Sequence, residues 1–174
     1  AARNQIETTL NTLLAADSFD DYGPNGLQIE GAEQVSRIVS GVTASLDLID
    51  AAIADGADVI LVHHGLFWRG QDGRLVGWLG ERVRRLMAHR INLFAYHLPL
   101  DAHAEFGNNA QFGLRLGLVA DARFGGQDLG FAGSAGDNVS VAALAARAQA
   151  VLGGRPPLVL PGDGRALARI GWCT

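Results

Sequence analysis

The stretch GADVILVHHGLFW, residues 56–68, constrains this chain more than any other. Ala57 to His64 is a continuous apolar run rather than an alternating one. That pattern belongs to a strand covered on both faces, the kind found inside a parallel sheet. Such a strand requires neighbours joined by crossovers, and the flanking sequence supplies them. RIVSGVTAS (37–45) has strand composition. Residues 46–55 read as a helix, with Leu46, Ile49 and Ile53 inward and Gly56 as its stop. Residues 79–90 place Val83, Leu86 and Met87 on one helical side, and INLFAYH (91–97) is a third strand. Strand, helix, strand, helix, strand implies an α/β fold with parallel strands and right-handed crossovers.

Elsewhere the pattern is thinner. Ile6, Leu10, Leu13 and Leu14 form one stripe of a helix over 4–16, and DYGPNGLQIEG (21–31) reads as a loop or short extended piece. Asn108 or Asn109 is expected to cap a helix, NNAQFGLRLG. The Gly-rich stretch 121–137 has low regularity and marks the expected lobe boundary, giving a first lobe of 1–124 and a second of 125–174. Ser140 should cap a helix running through Leu152, closed by Gly153 and Gly154. Short strands are expected at 157–160 and 168–173. With 48% apolar residues the chain can build a sizeable core. No apolar run reaches membrane-spanning length, the N-terminus lacks a secretory apolar region, and Cys173 is the single cysteine. A cytoplasmic protein without membrane partners is the expectation. All 14 basic residues are arginine. Their densest run, ERVRRLMAHR (81–90), reads as the solvated side of an amphipathic helix, so nucleic acid is not an expected partner.

Chemistry concentrates at one place. Ligands of open parallel sheets bind beyond the carboxyl ends of the strands. His63 and His64 lie at that end of one strand, and His97 at that end of the next, followed by Asp101 and His103 in an HxxxDxH pattern. Imidazoles and a carboxylate suit zinc, iron or manganese. A lone HH pair is equally a core imidazole beside an exposed one, and it is the second strand end that favours a metal. Because neighbouring strand residues point to opposite faces, His63 and His64 are expected to serve two different ions of a bridged pair. His103 is a candidate for hydrogen bonding to a ligand, and Phe67 and Trp68 for either packing or flanking a planar substrate. No GxSxG elbow or phosphate-cradling P-loop is present.

The blocks YGPNGLQIEG, GVTAS, GADVILVHHGLFW, NLFAYHLPLDAH and GNNAQ resemble, in that order, those of the NIF-three-like family, also known as GTP cyclohydrolase 1 type 2 homologues. The likeness is greatest to the short bacterial members, and RIGWCT resembles a later block. The resemblance implies two similar α/β lobes with parallel or mixed sheets and flanking helices, interlinked by strand exchange. It also implies a hexameric ring and two divalent metal ions. His63, His64 and Asp101 match family metal ligands, and His97 matches a histidine beside the metals, a ligand or an acid/base. The implied activity is hydrolysis of a nucleotide-like or other small heterocyclic substrate. The alternative is a non-catalytic metal-binding or protein-interaction scaffold. The family completes its site with a histidine and a glutamate in a later block. The expectation is therefore a chain carrying half of the metal site and a truncated second lobe with exposed strand edges.

Overall fold

The computed structural model describes residues 1–137, 139–160 and 162–174, which divide into two compact units, Ala1–Leu100 and Asp101–Thr174. Among the described residues, no helix is long and apolar enough to cross a membrane.

The first unit is a four-stranded mixed sheet flanked by helices. Its strands are β1 (Gly26–Ile29), β2 (Ile38–Thr43), β3 (Val59–His64) and β4 (Asn92–Ala95), in the order β1-β4-β3-β2. β2, β3 and β4 are parallel, while β1 runs antiparallel to β4. The short extended piece expected in 21–31 is thus an edge strand. The helices are α1 (Arg3–Leu14), α2 (Leu46–Ala54) and α3 (Gly77–Ala88). Ser45 starts α2 by accepting the Leu48 amide at 3.2 Å.

The central strand is buried on both faces, as its apolar run demands. Ile60 and Val62 pack with Ile49 and Ala52 of α2 and with Leu79, Val83 and Leu86 of α3. Val59 joins Phe94, Tyr96 and Leu14 of α1 in a separate core cluster. Each such aliphatic side chain contributes roughly 1.5–3 kcal/mol on full burial. Asn92 is the polar exception at the start of β4, fully buried. Its oxygen accepts the Gly31 amide at 2.8 Å, and its amide nitrogen donates to Ala32 and Asp58 carbonyls at 2.8 and 3.0 Å. It therefore pins both neighbouring chain segments, and these bonds offset the desolvation of its amide.

In the second unit, α5 (Asn108–Leu116) and α6 (Val141–Val151) accompany an antiparallel sheet β5-β6-β7, formed by Val119–Phe124, Gly130–Ser134 and Ile170–Trp172. The core is Leu116, Leu118, Phe131, Ala135, Val139 and Trp172. The Gly-rich segment read as irregular is largely a β-hairpin. Its glycines permit close approach: a Cβ on Gly133 would sit 1.8 Å from the Val119 carbonyl oxygen. Because β5 pairs with β6, residues 119–124 belong to the second unit's sheet, and the units divide between Leu100 and Asp101 rather than at 124/125. Neither Asn108 nor Asn109 is the N-cap of α5. Gly107 holds that position, and Asn109 is buried. Residues 157–160 form no strand. Prolines at 156 and 157 offer no amide donors, and Leu158 and Leu160 are 91% and 81% exposed.

Candidate metal centre

The parallel topology brings three imidazoles together. His63 and His64 end β3, and His97 follows β4, the strand paired with it. Ring centroids lie 4.4 Å apart for His63–His64, 4.9 Å for His63–His97 and 5.7 Å for His64–His97. One nitrogen from each ring lies within 4.8 Å of the others, so the trio could hold a metal ion. The expectation that alternation would send His63 and His64 to opposite faces does not hold here. Strand side chains lean along the strand direction, and at the last residues both long rings overhang the same edge.

Each ring is oriented through Nδ1. His63 Nδ1 lies 3.0 Å from the Tyr96 carbonyl oxygen, His64 Nδ1 lies 3.1 Å from Thr43 Oγ1, and His97 Nδ1 lies 2.8 Å from Asp21 Oδ1. Partners of this kind, a carbonyl or a carboxylate behind the ring, are what metal-binding histidines use to fix their orientation. Thr43 reaches His64 because the two are register partners across β2 and β3.

The Asp21 side chain is 3% exposed, against 22% for His97. Its Oδ1 accepts from the Tyr22 amide and lies against His97 Nδ1, and its Oδ2 accepts from Asn25 Nδ2 and the Leu98 amide, all at 2.6–2.9 Å. Burial pushes its carboxyl up, but these donors outweigh burial and hold it below the usual carboxylate range. Asn25 Oδ1 in turn accepts the His97 amide at 2.8 Å. Neither Asp21 nor Asn25 stands out in the sequence, where Pro24-Asn25-Gly26 reads as turn chemistry. The available signal is a carboxylate and an amide bracketing that turn.

The loop after β3 closes over the rings. Trp68 stands perpendicular to His97 at 5.1 Å and 6.1 Å from His64. Phe67 packs against the apolar core on the α2/α3 face. Gly23, Pro24, Gln28, His63, Gly65, Phe67, Trp68, Ala95 and His97 line a cavity of about 10 Å³. That is room for roughly one water. Asp101 lies in α4 (Leu98–Ala102) and is 7% exposed, with Asn108 Nδ2 donating to it at 2.9 Å. It is not one of the three clustered residues. His103 accepts the Glu105 and Phe106 amides at Nδ1 and stacks on Phe106 at 5.1 Å, which makes it a local turn brace.

The sequence model of DUF34/NIF3 (NGG1p interacting factor 3) matches residues 1–174. The chain belongs to the DUF34/NIF3 family. A GTP cyclohydrolase 1 type 2 homolog of Neisseria meningitidis serogroup A is 45% identical over 172 residues, covering 99% of this chain and 69% of the relative. Among solved structures, the protein ybgI, described as of unknown function, superposes with a TM-score of 0.93 at 41% identity, over 99% of this chain and 69% of that one. TTHA1606 from Thermus thermophilus gives 0.83 at 31% identity, with the same coverages. The mixed α/β fold of this chain is thus shared with these solved structures.

Proposed function

We propose that His63, His64 and Asp101 hold part of a dinuclear metal site in a hydrolase acting on a nucleotide-like or other small heterocyclic substrate. The observation that carries the metal reading is the convergence of His63, His64 and His97 with all three Nδ1 atoms already engaged. The substrate class rests on the names of the relatives, such as the GTP cyclohydrolase 1 type 2 homolog of Neisseria meningitidis. When bound, divalent ions such as zinc, iron or manganese supply Lewis acidity and make water nucleophilic near neutral pH. In this chain His63 and His64 bind, His97 holds a ligand or moves a proton, and Trp68 forms one wall that limits water access. Assembly into a hexameric ring belongs to the same proposal.

One observation favours a second reading, a metal-binding or interaction scaffold without turnover: the cavity between Trp68, His63 and His97 is only about 10 Å³. Metal analysis and zinc titration of the purified chain, with His63→Ala and His64→Ala beside it, test the site. Tight binding that both variants lose is expected, and unchanged binding in both would end the metal reading. Nucleotide turnover abolished by a chelator and restored by metal separates hydrolase from scaffold. Stoichiometric metal without turnover across a broad nucleotide panel favours the scaffold. Light scattering checks the ring.

A further inference from the structure

We infer that Asp21 is a positioning residue that fixes the imidazole of His97 as its Nδ1–H form, leaving Nε2 as the nitrogen that takes a metal or a proton. The consequence for ligands rests on the role proposed for His97 above, but the form of the ring does not.

The argument is one of donors and acceptors. An Asp21 carboxyl that carried a proton would place it on an oxygen already facing donors. Oδ1 receives the Tyr22 amide, and Oδ2 receives Asn25 Nδ2 and the Leu98 amide. These three N–H donors favour the ionised, acceptor-only carboxylate, and against it the 2.8 Å contact to His97 places the ring proton on Nδ1. His63 is fixed the same way by the Tyr96 carbonyl, also an acceptor only. His64 meets a hydroxyl, which can donate or accept, so Thr43 leaves its form open. Two of the three rings thus reach the cluster with their proton already assigned.

Anchoring the loop would not by itself need the ring contact. The 21–25 loop already holds the chain after β4 through two backbone amides, His97 to Asn25 Oδ1 and Leu98 to Asp21 Oδ2, each at 2.8 Å. The contact to Nδ1 adds orientation of the ring, and it crosses 76 positions of sequence to do so. An imidazole left to water prefers the opposite form, with its proton on Nε2.

Long-range proton–nitrogen correlation spectra of ¹⁵N-histidine-labelled, metal-free chain test this directly. They are recorded about two pH units above the ordinary histidine value of ~6.5, so that neutral rings dominate. The wild type should show His97 protonated on Nδ1, Asp21→Ala should convert it to the Nε2–H form, and Asn25→Ala, which disturbs the same loop, should not. A wild-type ring protonated on Nε2 overturns the inference without any substitution being made. So does a ring unmoved by Asp21→Ala, or one converted equally by Asn25→Ala.

Zinc titration supplies the second readout. Asp21→Ala should weaken affinity about 10–100-fold, the usual effect of removing a partner behind a ligand, and should add little in a His97→Ala background. If zinc binds and Asp21→Ala leaves its affinity unchanged, the positioning role is refuted. If the wild type binds no zinc, the metal reading fails while the spectra still decide the ring form.

Discussion

Gly23→Ala is the sharpest test of how the site's two loops are held together. A Cβ on Gly23 would lie 2.4 Å from the Phe67 carbonyl oxygen, where real contacts do not fall below 3.0 Å. The obstacle is backbone, so one loop must move away from the other by more than half an ångström. The loops are stitched beside that point by Arg69 N–H to the Tyr22 carbonyl at 2.6 Å. The Leu66 amide to Gln28 Oε1 and Gln28 Nε2 to the Pro24 carbonyl, both 2.8 Å, complete the stitching. Overpacking costs about 1–3 kcal/mol, and one broken hydrogen bond adds about 1 kcal/mol. Against this, alanine stiffens the unfolded chain by about 0.4–1 kcal/mol. The net expectation is a loss of about 1–3 kcal/mol, a fall of roughly 1 M in a urea midpoint followed by tryptophan fluorescence. Gly73→Ala is the control. Its Cβ meets nothing within 4 Å, so only the unfolded-state term of about 0.4–1 kcal/mol remains and the midpoint should rise slightly. If Gly23→Ala unfolds at the same midpoint as Gly73→Ala, the loops are not in the contact argued here.

Three further outcomes concern the second unit. Gly113→Ala should lower its thermal midpoint. The helix gains about 1 kcal/mol from alanine, but the new Cβ meets the Trp172 indole at 2.7 Å, and overpacking of about 1–3 kcal/mol wins. The indole cannot turn aside without losing its 2.9 Å hydrogen bond to the Asn109 carbonyl. Asn109→Ala should cost about 1–3 kcal/mol by chemical denaturation, because the Leu129 carbonyl and the Thr174 amide and hydroxyl each lose a hydrogen bond. Arg169→Ala should leave the midpoint at pH 7 unmoved within error, since its pair with Asp121 is more than half exposed on both sides. Arg169 holds the Asp121 carboxyl below its usual value, so whatever the pair contributes is present above about pH 3.9 and fades as pH falls below it. Wild type and variant should therefore coincide at low pH as they do at pH 7.

What the sequence disclosed about the site is what topology alone controls. A doubly covered strand such as Val59–His64 needs parallel neighbours, and parallel neighbours deliver their carboxyl ends to one edge, so the sequence itself brings His63, His64 and His97 together. The direction of each ring was not legible. Alternation is a property of the regular part of a strand, and His64 is its last residue. Asp21 was hidden for another reason. Its significance depends on a contact with a residue 76 positions away, while its immediate neighbours spell an ordinary turn.

The Gly-rich second unit extends the same point. Composition points to irregularity in 121–137, yet two of the glycines there and one nearby sit opposite bulky or fixed groups: Gly130 against the Phe124 ring, Gly133 against the Val119 carbonyl, and Gly113 against the Trp172 indole. A glycine that makes room for a ring and one that merely loosens a loop look identical in sequence. The partner settles which it is, and for Gly113 that partner lies across 59 positions in β7. Low regularity in such a segment is therefore as consistent with close packing as with a linker. Bulky residues within the segment, here Phe124 and Phe131, are the feature that tips the reading toward packing.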